Sequence, residues 1–145
     1  MIYWFTGQPG AGKTTLAKHM KVHVHHSAII VDGDDIREIF ENKDYSEAGR
    51  KKNIELAQNI AYFLNEKGYR VFVSLVSPYR DQREAFKARL GKDLVEIYVH
   101  TVEDRGRNHF HVEDYEPPLE NYLDIDTTDK DPFHTYRELV DKLEL

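Results

Sequence analysis

Lys13 and Thr14 close the segment Gly7-Gln8-Pro9-Gly10-Ala11-Gly12-Lys13-Thr14, which meets every fixed position of the pattern G-x-x-x-x-G-K-[ST]. The residue types define the chemistry. Three glycines let backbone N–H groups turn inward around phosphate oxygens, an ammonium at Lys13 reaches the β- and γ-phosphates of a nucleoside triphosphate, and the Thr14 hydroxyl can ligate Mg²⁺. Three further stretches carry charge or hydroxyls: Asp32-Gly33-Asp34-Asp35, Ser77-Pro78-Tyr79-Arg80, and the polar run from Thr101 to Pro118. Ligands of open α/β sheets bind outside the carboxyl ends of strands, so these stretches are expected to converge on the phosphates.

The elements that must position them follow from apolar patterning. Ile2 to Thr6 reads as a buried strand and Thr14 to Val22 as a helix with Leu16, Ala17 and Met20 inward, which is the strand–loop–helix context that the glycine pattern requires. Further strands are expected at Ala28–Val31, Arg70–Val76, Val95–Val99 and Tyr122–Ile125. Helices are expected at Ile36–Phe40, from Ser46 as N-cap to about Lys67 with Gly68 as the stop, at Asp81–Leu90, and after Asp131-Pro132. Strands alternating with helices imply an α/β P-loop NTPase fold: a mostly parallel five-stranded sheet with helices on both faces. The stretch from Thr101 to Pro118 is left as a lid or binding loop.

At 145 residues, 40% hydrophobic, the chain is expected to form a single globular domain. It has no cysteine, which excludes disulfides and thiol chemistry. Neither a run of eighteen apolar residues nor a signal segment is present, so the expectation is a cytoplasmic protein with no membrane partner. The net charge of −6 argues against nucleic acid as a partner. His23, His25 and His26 alternate with Val22 and Val24, which places them on a solvated helix end or loop more simply than in a metal site. Oligomeric state is not fixed by the sequence, with a homodimer kept in view.

Neither a guanine-selecting Asn-Lys-x-Asp run nor a motor-type acidic strand end occurs, and short size with a lid-like loop favours a small-molecule kinase. Five stretches resemble the adenylylsulfate kinases, which phosphorylate adenosine 5′-phosphosulfate on its 3′-hydroxyl. They are GQPGAGKTT at 7–15, VDGDDIR at 31–37, YSEAGRKKNIE at 45–55, VSPYRDQR at 76–83 and FHVEDYEPP at 110–118, and the likeness spans roughly residues 2–127. The resemblance implies ATP and Mg²⁺ as cofactors and the phosphosulfate nucleotide as small-molecule substrate. Gly7, Gln8, Pro9, Gly10, Ala11, Gly12, Lys13, Thr14 and Thr15 would hold the nucleotide. Asp32 would be the catalytic and magnesium-linked acid with Asp34 beside it, and Ser77 would position the reactants. Arg37, Arg50 and Asn53 would hold the acceptor, Phe110 would stack on its adenine, and Tyr45 stands where the family usually has phenylalanine. Arg107 is assigned beside the ATP adenine, with Arg105 as the rival.

Two departures from the family stand out. Gly49 replaces a commonly acidic residue and is expected to loosen the start of the long helix and the orientation of Arg50. The lid is short, with Arg105-Gly106-Arg107-Asn108 followed at once by His109-Phe110 and without the usual lysines, so wetter phosphates and weaker transition-state stabilisation or faster product release are expected. The alternatives are a kinase of another small hydroxylated acceptor or of a nucleic-acid 5′-end, and a nucleotide-binding regulatory domain without transfer activity.

Overall fold

The computed structural model describes residues 1–24 and 27–145; His25 and His26, two of the three histidines weighed above for a metal, lie outside the described residues. The sheet is built on β1 (Ile2–Thr6), whose five residues are all buried. Its neighbours are β3 (Arg70–Ser74) and β4 (Leu94–His100), with β2 (Ala28–Asp32) and β5 (Leu123–Asp126) at the edges, giving the order β2-β3-β1-β4-β5 with every pairing parallel. A parallel strand needs a crossover: α1 (Lys13–Val24) joins β1 to β2, α2 (Gly33–Ile39) and α3 (Glu47–Glu66) join β2 to β3, and α4 (Arg80–Leu90) joins β3 to β4, whereas β4 reaches β5 through a segment without an α-helix and α5 (Pro132–Leu143) follows the last strand.

Alternation along β1 divides the core. Tyr3 and Phe5 pack with Leu16, Met20 and Leu139 of α1 and α5, whereas Ile2 and Trp4 pack with Ile54, Ala57 and Phe86 of α3 and α4. Helices therefore cover both faces, and all five strands point their carboxyl ends to one rim. No described helix is long and apolar enough to cross a membrane.

The sequence boundaries hold with informative exceptions. Helix α2 begins at Gly33 rather than Ile36 because the Asp32 carboxylate caps it, accepting from the Asp35 N–H at 2.9 Å. Asp34 and Asp35 thus sit in its first turn, at the positive end of the helix. Strand β3 ends at Ser74, not Val76, since the Val76 carbonyl turns to accept from the Thr6 hydroxyl at 2.8 Å. His23 lies in the last turn of α1, as expected of a helix end, but is partly buried there, its Nδ1 2.7 Å from the Tyr136 hydroxyl of α5. Residues 101–122 hold one short 3-10 turn, Asn108–Phe110.

Candidate active site

A cleft of about 830 Å³ opens at the carboxyl ends of β1, β2 and β3. Pro9, Gly10, Gly12, Lys13 and Thr14 form its floor, Asp32, Asp34 and Arg37 one wall, Tyr45, Arg50 and Asn53 a second, and Ser77 a third, while Arg107 and Phe110 line it from the segment between β4 and β5. Four expected nucleotide residues lie outside it. Gly7 packs so tightly on β4 that a Cβ would stand 2.1 Å from the Val99 carbonyl oxygen, Gln8 and Ala11 line a smaller neighbouring cavity of about 80 Å³, and Thr15 is exposed on α1.

At the phosphate end Lys13 is 8% exposed and donates from Nζ to the Gln8 carbonyl at 2.9 Å. Burial, reinforced by the nearby Arg107 guanidinium, pushes its ammonium down to about 7. The Thr14 hydroxyl lies 3.0 Å from the Ser74 hydroxyl, and Ser74 is the register partner of Asp32 on the adjacent strand. Thr14, Ser74 and Asp32 therefore present a set of hard oxygens suited to Mg²⁺ beside the phosphate loop. Ser74 was not singled out from sequence; its place at a strand end next to an acidic strand end is the signal that could have found it.

The opposite wall is cationic. Arg37 stacks its guanidinium 3.9 Å over the Tyr45 ring and donates to the carbonyls of Asn42 and Asp44 at 3.1 and 3.0 Å. Arg50 is half-buried, and neither Arg50 nor Arg107 has an ion-pair partner among the described residues. Asn53 is buried, donates to the Gly33 carbonyl at 3.4 Å and leaves its Oδ1 without a partner. A buried acceptor without a donor costs free energy unless a ligand supplies one.

The expected loosening at Gly49 is not found. Gly49 is buried, its N–H donates to the Ser46 hydroxyl at 3.3 Å and its carbonyl accepts from Asn42 at 3.0 Å. The Asp44 backbone presses so close that a Cβ would meet its oxygen at 2.1 Å. Glycine is what lets the 42–46 connection pack onto α3, one residue before Arg50. Gly49→Ala should lower stability by about 1–3 kcal/mol through that clash; an unchanged urea midpoint would refute the packing argument.

Ser77 has φ 41 and is almost fully buried. Its hydroxyl accepts from Trp4 Nε1 at 2.9 Å and lies 3.2 Å from the Thr6 hydroxyl, which also meets the Tyr115 hydroxyl at 2.8 Å. The Ser77 side chain thus fixes its turn and is not free as a nucleophile. Below it Arg83, 3% exposed, pairs with Glu96, 2% exposed, at 2.8 Å, and donates to the carbonyls of Ser77 and Glu116. Lys87 joins Glu96 at 2.8 Å. A buried acid within Val95-Glu96-Ile97 has to find a cation, and that was the legible but unused signal.

The two lid arginines differ. Arg105 spends its donors on the back of the phosphate loop and the strand beyond: the Gly10 and Ala11 carbonyls at 3.2 and 3.3 Å, and the Thr127 carbonyl at 2.8 Å. Arg107 instead faces the cleft, 5.2 Å over Phe110 and near Lys13.

The profile of the adenylylsulphate kinase family matches residues 1–111, most of the chain. The chain belongs to the adenylylsulphate kinase family. It is accordingly a kinase, a phosphotransferase with a P-loop α/β fold. Among solved structures it is similar to the Mycobacterium tuberculosis APS kinase in complex with AMPPNP and APS, at 25% identity and a TM-score of 0.84 over 99% of this chain and 97% of that one. A hexameric APS kinase from Thiobacillus denitrificans is 26% identical with a TM-score of 0.80, over 99% of this chain and 28% of that one. The shikimate kinase of Aquifex aeolicus, 17% identical with a TM-score of 0.64 over 99% of this chain and 96% of that one, shares the fold.

Proposed function

We propose that the protein transfers the γ-phosphoryl group of ATP to the 3′-hydroxyl of adenosine 5′-phosphosulfate, giving 3′-phosphoadenosine 5′-phosphosulfate and ADP. One observation carries this reading: the cleft that holds the phosphate loop has a second wall lined by Arg37, Arg50 and Asn53. An acceptor that is an anionic nucleotide fits such a wall, because guanidinium groups supply planar pairs of donors to phosphate and sulfate oxygens. The mycobacterial relative solved with AMPPNP and APS supports the same pair of ligands.

In the transfer, the 3′-oxygen bonds to the γ-phosphorus as the bond to the bridging β–γ oxygen breaks, and the hydroxyl proton leaves to Asp32 or to water. Lys13 and the loop amides hold the phosphate oxygens, and Arg107 adds positive charge from the lid. Asp32 orients the hydroxyl with the oxygen left over from capping α2. Thr14 and Asp32 would hold Mg²⁺, which neutralises charge on the β- and γ-oxygens when bound. Tyr45 and Phe110 offer aromatic faces for the acceptor's adenine, and Ser77 fixes the turn that walls the site.

Arg50→Ala should raise the KM for adenosine 5′-phosphosulfate about tenfold or more, by loss of a charge-assisted contact, while the KM for MgATP stays within about twofold. An Arg50→Ala enzyme with an unchanged acceptor KM would remove Arg50 from the acceptor site.

A further inference from the structure

We infer that the Gln8 side chain is a positioning residue that fixes the lid against the phosphate loop. In the glycine pattern position 8 is unspecified, so nothing about phosphate binding calls for an amide there. Its Nε2 donates to the Val112 carbonyl at 2.8 Å, and its Oε1 accepts from the Val112 N–H at 2.9 Å. A primary amide carries one donor edge and one acceptor edge, and Gln8 sets both against a single backbone residue as a neighbouring strand would.

The rest of the lid shows why this pair matters. Its entry is held by Arg105 on the loop carbonyls and by Glu103, which accepts from the Asp129 N–H at 2.6 Å. Its exit is held by Tyr115 on Thr6 and by the Arg80 and Arg83 contacts to residues 116–117. Between them, residues 107–112 bond to one another, as in Phe110 N–H to the Arg107 carbonyl at 2.9 Å. Among the described residues the only hydrogen bonds joining that stretch to the body of the protein are the two from Gln8. The second anchor is steric: Arg107 lies on Gly10, where any Cβ would stand 2.9 Å from the arginine Cβ.

Arg107 and Phe110 both belong to this stretch and both line the cleft. Gln8 therefore sets where the lid's charge and its aromatic ring stand, from the same loop whose amides hold the phosphates. The consequence for the acceptor rests on the function proposed above; the clamp itself does not.

Amide exchange of Val112 followed by NMR in the full chain tests the clamp. Gln8→Ala, and Gln8→Met, which keeps the side chain's bulk without its hydrogen bonds, should each exchange about tenfold faster or more than wild type at Val112. With adenosine 5′-phosphosulfate both variants should raise the acceptor KM at least fivefold, more than they change the KM for MgATP. Wild-type exchange in Gln8→Met would reduce the contact to packing and overturn the proposal, as would faster exchange with an unmoved acceptor KM. A wild-type protein inert toward adenosine 5′-phosphosulfate would sink the proposed function instead, and the exchange rates alone would then decide the clamp.

Discussion

Lys13→Ala is expected to lower phosphoryl transfer by about 10²–10³-fold or more, the scale seen when one charge-stabilising donor is removed from a transition state. The same substitution should raise stability. Burial holds the Lys13 ammonium down to about 7, so the folded chain carries that charge at a cost the unfolded chain avoids. Between pH 7 and the ordinary lysine range the unfolded state binds the proton and the folded state has released it, so wild-type stability gains with rising pH from this group. The alanine variant lacks the gain. Its advantage over wild type should be largest below pH 7 and shrink above it, which paired urea titrations at pH 6 and 9 would detect. Phosphate binding favours the charged ammonium, so nucleotide binding should take up a proton above pH 7. A variant that transfers at the wild-type rate, or one whose stability difference is flat in pH, contradicts the role given to Lys13.

Glu96→Ala is expected to cost about 3–5 kcal/mol of stability, because it leaves a buried guanidinium without its counter-charge. For a domain of this size the total is about 5–15 kcal/mol, so the variant should sit near the edge of folding. Arg83 also holds the carbonyls of Ser77 and Glu116, so the loss should loosen the Ser77 turn and the lid's exit together. Replacing Arg83 and Glu96 jointly by apolar residues of similar volume should recover much of the stability without restoring the turn. Equal denaturant midpoints for wild type and Glu96→Ala would show that the pair contributes nothing net.

How much of this was legible depended on whether the deciding contact was local. Gly7 to Thr14 could be read because strand, loop and helix are consecutive, and the alternation of strands with helices implied a mostly parallel sheet whose carboxyl ends bring Asp32 and Ser77 to one rim. Arg50 and Asn53 came from resemblance, since their helical spacing alone is equally that of a solvated face. Gly49 was misread: its reason is the Asp44 backbone, brought against α3 only once the chain folds. Arg105 and Arg107 are two residues apart with like charge, and only tertiary contacts separate the one that braces the loop from the one that faces the cleft. Gln8 was legible as part of a loop but not as a clamp, because its partner lies 104 residues away.

The most direct measurement of the central claim is incubation of the wild-type protein with γ-labelled ATP and Mg²⁺, with and without adenosine 5′-phosphosulfate, followed by identification of the labelled product. The label should move to the acceptor's 3′-oxygen with stoichiometric ADP, and ADP release without acceptor should be far slower. ADP release that is indifferent to adenosine 5′-phosphosulfate, or label appearing only on a different hydroxylated acceptor, would contradict it.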